Sequence, residues 1–390
     1  MVGPFAISHL PAIVFGAGSI SRLPEMLSEY GNTFLVVTGS ESFQAGPDGM
    51  KFFETLDSKC YTVFRVRISR EPSPSDIDEI VTLYADKKID AVAGIGGGSV
   101  IDAAKAVSAM LKLKSPVKDY IEGVGNKKHP GIKLPFIAVP TTAGTGSETT
   151  ENAVISEVGE NGFKRSLRHK AFMPDIALVD PGLALGCPPD ITAASGMDAL
   201  TQSLEAFLSV KANTFTDSLA PEAIRLIVSN LPSAVKKPDD LNARTALAYG
   251  AMISGILLAN AGLGLVHGFA SSIGGLIDIP HGVLCGTLMG VSNRFILNKM
   301  LAQDSHSRYI HKYALLEQNI MPGQNADHIS AARSFVTRLE KLVDDLGLPR
   351  LGRYGLAKSK IEKIAGQTGQ KNNPVVLDKD ELTSILIARL

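Results

Sequence analysis

The sequence predicts an α/β N-terminal domain built on a parallel sheet, followed by an all-α C-terminal domain. Two observations carry this. In the first half, short and almost continuously apolar runs alternate with amphipathic stretches of helical period. Strands apolar on both faces belong to sheets covered by helices on both sides. From about Ile191 onward, apolar positions recur at helical spacing and β-branched strand runs nearly vanish.

Taken in order, "TFLVVTG" reads as a buried strand, and "ESFQAGPDGMKFFETLDSK" as a loop and helix. "YTVFRVR" is a second strand, and "SPSDIDEIVTLYADKK" a helix capped by serine. "AVAGIGGG" is a third strand, "SVIDAAKAVSAMLK" a helix, and "LPFIAVPTT" a fourth strand. The stretch between Asp180 and Pro189, rich in proline and glycine, marks a break. It divides the chain into residues 1–184 and 185–390, and a cleft between two such domains is the default place for a ligand.

Composition narrows the partners. Acidic and basic residues balance at 39 each, which removes the electrostatic case for nucleic acid or an anionic membrane. The apolar segment "ALAYGAMISGILLANAGLGLVHG" carries small residues and His267, and reads as a buried core helix. The opening lacks a basic region followed by an unbroken apolar run. Three cysteines without CxxC spacing read as reduced thiols, so the expected location is the cytoplasm.

"GIGGGSVIDAAK" ends a strand and opens a helix, and its three consecutive glycines would let backbone N–H groups approach an anion. Ser99 is placed to cap that helix, with Asp102 three residues on. The standard dinucleotide fingerprint fails, because Ser99 stands where its third glycine belongs. Alone, this loop reads equally well as an ordinary strand-to-helix turn. A second loop, "PTTAGTGSETT", tips the balance. There Thr141, Thr142, Thr145, Ser147 and Thr150 supply hydroxyls, and two such loops at strand ends of one sheet could hold a pyrophosphate and a ribose.

In the helical half, Asp198 and Gln202 are spaced i, i+4 on one helix face, with Glu205 continuing the stripe. His267 and His281 follow, each succeeded by glycine in apolar surroundings. A hydrogen-bonded core histidine is the plainer reading of each. Two of them with a carboxylate form a divalent-metal candidate.

The motifs "GGGSVIDAAK", "PTTAGTGSE", "MPDIALVDPGL", "GMDAL", "GLVHG" and "IPHGV", in this order over nearly the whole chain, resemble the iron-containing (group III) alcohol dehydrogenase family. The resemblance implies a Rossmann-like, dehydroquinate synthase-like nucleotide-binding domain and a helical metal- and substrate-binding domain. It implies NAD or NADP, Fe2+ or Zn2+, a small alcohol or aldehyde substrate, and a homo-oligomer, dimer or larger. Asp198, His267 and His281 match three of the family's four metal ligands, and Gln202 stands where the fourth is usually histidine. Three arrangements stay open: glutamine as a weak ligand, water in the gap, or no metal. Glu205 and Cys285 read as a solvated helix face and a core thiol.

The family correspondence puts Gly97, Gly98, Ser99 and Asp102 about the pyrophosphate and nicotinamide, with Thr141, Thr145 and Lys164 along the cofactor channel and Leu185 as its far wall. Gly39 and Ser40 follow the strand "FLVVT" where an acid would repel a 2′-phosphate, so NADP is slightly favoured over NAD. Ser271 replaces a histidine common in the family, which leaves the proton relay unassigned. The expected activity is metal-dependent hydride transfer between an alcohol and an aldehyde or ketone. The alternatives are a metal-independent reductase like maleylacetate reductase, a lyase like dehydroquinate synthase, and a non-catalytic nucleotide-binding or filament-forming module.

Overall fold

The computed structural model describes residues 3–39, 41–159, 162–323 and 327–390. The chain forms two compact units, one of Ser8–Glu157 with Lys164–Cys187, the other of Pro188–Leu390 with Met1–Ile7 and Val158–Phe163.

The first unit is organised by a six-stranded, wholly parallel sheet. Its strands are β1 (Ala12–Phe15), β2 (Thr33–Thr38), β3 (Thr62–Arg67), β4 (Ala91–Gly96), β5 (Phe136–Pro140) and β8 (Ile176–Val179), in the order β1-β8-β5-β4-β2-β3. A separate pair, β6 (Asn152–Glu157) and β7 (Phe163–Arg168), stands apart. The four expected strands are all present. The reading missed β1 and β8 because each is only four residues long, too short for a periodic signal. It missed β6 and β7 because their sequences mix polar and apolar residues.

Helices α1 (Leu23–Ser28), α2 (Glu41–Ala45), α3 (Pro47–Ser58), α4 (Pro74–Tyr84) and α5 (Gly98–Met110) connect the strands. Ser73 caps α4 in a capping box with Asp76, as the sequence suggested. Between β2 and β4 the winding reverses: β2 leads outward to β3, and β4 leads the other way to β5. Ligands of such sheets bind beyond the carboxyl ends of the strands at that reversal. Gly39 and the glycines at 97 and 98 flank it.

The second unit is helical: α6 (Pro189–Leu208), α7 (Thr214–Lys236), α8 (Leu241–Ala261), α9 (Leu265–Gly274), α10 (His281–Gln303), α11 (Arg308–Ile320), α12 (His328–Asp345), α13 (Ile361–Gln367) and α14 (Lys379–Ala388). Helix α8 is long and apolar enough to cross a membrane, yet 67% of its most apolar window is buried, and it packs on α6 and α7. That is the core helix read from its small residues. Glycines set the close approaches. A Cβ on Gly196 of α6 would meet Leu231 of α7 at 2.4 Å. On α10, a Cβ on Gly282 would meet the Ala194 carbonyl at 2.4 Å, and one on Gly286 would meet Met197 at 2.8 Å. Helix α10 therefore lies against α6 on either side of Cys285, level with Asp198.

Candidate active site

The first unit brings the two loops into contact. Gly97 is the N-cap of α5 in an extended conformation, and Gly98 begins the helix. A Cβ on Gly98 would lie 2.4 Å from Thr145 Cγ2, and one on Gly97 would lie 3.4 Å from Thr142 Oγ1. Glycine at 98 is what lets the second loop close over the first. Gly39 adjoins them, its Cβ position 3.7 Å from Val100 of α5. Ser99, Thr141, Thr142 and Thr145 are half-buried around this helix N-terminus. Leu185, at the end of a short 3-10 helix, is exposed. Ser40 lies outside the described residues.

The expected cap of α5 by Ser99 and Asp102 does not form, because the N-cap is Gly97, which has no side chain, and Ser99 lies inside the helix. Asp102 is buried instead. It accepts the Ser147 hydroxyl hydrogen bond and the Val154 N–H at 3.1 Å. Lys105, wholly buried one turn on, donates to the carbonyls of Ser147, Thr150 and Asn152 at 2.7–2.8 Å. Burial pulls its ammonium down to about 8. These two residues tie the second loop to α5, so the loop is held by ionic groups that the helix carries inward. The sequence reading missed Lys105, although a lysine inside "IDAAKAVSAM" was its signal. Lys164, on β7, is buried and ion-paired with Glu71, whose other oxygen accepts from Ser156 at 2.8 Å.

The second unit gathers a different kind of site. Asp198 on α6, His267 on α9, and His281 and Cys285 on α10 each point one ligand atom to a common place, all within 4.8 Å of one another. Asp198 is 2% exposed, and its Oδ1 has no hydrogen-bond partner among the described residues. That oxygen lies 3.5 Å from His267 Nε2 and 3.7 Å from His281 Nε2. These separations are long for hydrogen bonds. They match ligands sharing one ion, since tetrahedral N and O donors at ordinary bond lengths stand about 3.4 Å apart. The residues fit a divalent metal.

Glu205 corrects the sequence reading. It is not on a solvated face but buried, accepting His267 Nδ1–H at 2.7 Å and the Val266 N–H at 2.5 Å. Metal-binding histidines are held by such a carboxylate, which fixes the proton on one nitrogen and turns the other towards the ion. Its i+7 spacing from Asp198 was the available signal. Gln202, one turn after Asp198, is likewise buried.

The electrostatics agree with the geometry. Burial disfavours charge on Asp198, but the imidazoles of His281 and His267 more than offset it and hold the carboxyl below its usual range. Burial also opposes protonation of His267, yet the negative potential of Cys285, Glu205 and Asp198 prevails and holds its pKa well above the ordinary value. The same negative potential suits a divalent cation in place of the proton.

Comparison with known proteins places both halves of the chain in one family. The profile described as "Iron-containing alcohol dehydrogenase" matches residues 11–181, and "Fe-containing alcohol dehydrogenase family, C-terminal" matches residues 192–390. The chain is 30% identical over 382 residues to an NAD-dependent methanol dehydrogenase of Bacillus methanolicus, covering 96% of this chain and 97% of that protein. It is 34% identical over 340 residues to a 1,3-propanediol dehydrogenase of Klebsiella pneumoniae, covering 86% and 84%. Among solved structures, an alcohol dehydrogenase from Oenococcus oeni superposes with a TM-score of 0.87 at 28% identity, over 99% of this chain and 100% of that one. A sulfoacetaldehyde reductase from Bifidobacterium kashiwanohense in complex with NAD+ superposes with a TM-score of 0.83 at 26% identity, over 100% and 99%. With both halves matched in order and a donor cluster on the helical half, the chain belongs to the iron-containing alcohol dehydrogenase family and is an oxidoreductase interconverting alcohols and carbonyl compounds.

Proposed function

We propose that the chain transfers hydride between a small alcohol and a nicotinamide dinucleotide, with a divalent ion, Fe2+ or Zn2+, held by Asp198, His267 and His281. The observation that carries this reading is the buried, unpartnered Oδ1 of Asp198, facing two imidazole nitrogens at 3.5 and 3.7 Å. When bound, the ion supplies polarisation of the alcohol or carbonyl oxygen, and the nicotinamide supplies or accepts the hydride.

The residues have separate tasks. Glu205 holds His267 with Nε2 turned to the ligand cluster. The N-terminus of α5, opened by Gly97 and Gly98, presents N–H groups and a positive dipole end to the pyrophosphate. Ser99, Thr141, Thr142 and Thr145 offer hydroxyls beside it. Asp102 and Ser147, engaged with each other, position the second loop, and Lys164 is positioned in turn by Glu71. Leu185 supplies an apolar wall of the cofactor channel. Gly39 brings no acid against a 2′-phosphate, so NADP is accepted alongside NAD and slightly preferred. We read the enzyme as a cytoplasmic homo-oligomer with domains at residues 1–184 and 185–390.

The test is a panel of small alcohols and aldehydes with NADH and NADPH on protein stripped by a chelator and refilled separately with Fe2+ and Zn2+. The expected result is turnover restored by metal, with a lower KM for NADPH. Full activity in metal-free protein would overturn the metal-dependent reading and favour a metal-independent reductase.

A further inference from the structure

We propose that Cys285 is a ligand of this metal centre, its thiolate joining Asp198, His267 and His281 around one divalent ion. The inference rests on the metal-dependent reading above and names the donor that completes it.

Helix α10 begins at His281, and Cys285 follows one turn later on the same face. Its Sγ lies 3.7 Å from His267 Nε2 and 3.7 Å from His281 Nε2. Two equal separations of this size suit shared coordination: a sulfur about 2.3 Å and a nitrogen about 2.0–2.1 Å from one tetrahedral ion stand about 3.6 Å apart.

The tautomer points the same way. With Nδ1 of His267 donating to Glu205, Nε2 is the ring nitrogen left facing the cluster, and it ligates once an ion displaces its proton. Asp198 Oδ1 adds another buried lone pair with no hydrogen bond. A fully buried sulfur completes a ring of electron donors around one point.

Donor chemistry favours the cysteine over its neighbour: a thiolate binds a borderline-soft ion such as zinc more strongly than the neutral carboxamide oxygen of Gln202. On metal binding the Cys285 S–H bond breaks, the electron pair goes to the ion, and the proton leaves to water. The glycines flanking Cys285 serve the same end: Gly282 and Gly286 let α10 approach the α6 backbone closely enough for the sulfur to reach.

The experiment uses the full-length protein, stripped by a chelator, kept reduced and titrated with Co2+. The expected result is one ion per chain with a thiolate-to-cobalt charge-transfer band in the near ultraviolet. The band should be lost in Cys285→Ser and retained in a Cys60→Ala, Cys187→Ala double variant. X-ray absorption of the zinc-loaded wild type, which needs no variant to fold, should show one sulfur at about 2.3 Å. One cobalt bound without the band, or a band that survives Cys285→Ser, would make Cys285 a core thiol and overturn the proposal while leaving the metal reading intact. No stoichiometric cobalt in the wild type would remove the metal reading itself, and this proposal with it.

Discussion

The two candidate sites differ in how complete each is on its own. The loops beside α5 are satisfied internally, with Asp102 bonded to Ser147 and Val154, and Lys105 to three carbonyls. The cluster on α6, α9 and α10 is not, since it leaves a buried carboxylate oxygen without a hydrogen bond. A backbone-built site can be finished by the chain and wait for a transient ligand. A side-chain donor set gains from a bound cation, because unmatched buried lone pairs cost free energy until a positive group meets them.

That difference can be broken most decisively at Asp198. Asp198→Asn keeps the shape and removes the charge. Turnover should fall about a thousandfold, near 4 kcal/mol, with loss of bound metal. Calorimetric titration with the dinucleotide should be unchanged. If dinucleotide binding fails as well, the sites are not independent and the contrast is wrong.

The next largest effect concerns the internally satisfied side. Glu148, buried in the second loop, has its carboxyl pushed up from 4.5 to about 7, chiefly by burial. Between those values the folded chain holds the proton that the unfolded chain has released. Stability should therefore fall as pH rises from about 4.5 to 7, and stay lowered above that. Glu148→Gln should stabilise the protein by up to about 3 kcal/mol at pH 8 and by much less below pH 4.5. Urea unfolding at the two pH values checks this, and equal gains at both would refute it.

Glu205→Gln sharpens the account of the metal site. Replacing the acceptor of His267 should weaken metal affinity about 10–100-fold without touching a ligand atom. Competition with a chromophoric chelator would measure it, and unchanged affinity would reduce Glu205 to a cap on α9. The smallest effect is expected at Gly98. Gly98→Ala places a methyl 2.4 Å from Thr145, which should cost about 1–2 kcal/mol and raise the KM for the dinucleotide about tenfold, with metal content unaltered.

Much of this was readable beforehand, for physical reasons. Buried strands such as "FLVVT" and "LPFIAVP" announce themselves because both faces must be apolar. Glycine runs announce a close backbone approach because only glycine lacks a Cβ. Glu205 could not be read the same way. Its i+7 place on a helix gave the direction of its side chain, but not that α9 would bury that direction. Asp102 misled for a related reason. Its spacing from Ser99 suited a local cap, and a distant hydroxyl and N–H outcompeted it.

The linear chain by itself determined the parallel sheet, the helical second half and the presence of Asp198, His267 and His281, since these follow from local periodicity and residue chemistry. Tertiary packing alone decided which atoms meet. Gly282 and Gly286 seat α10 on α6 and carry Cys285 to within 3.7 Å of two imidazoles, though 87 residues separate it from Asp198. Donor geometry over such distances depends on how helices pack, and no local pattern encodes it.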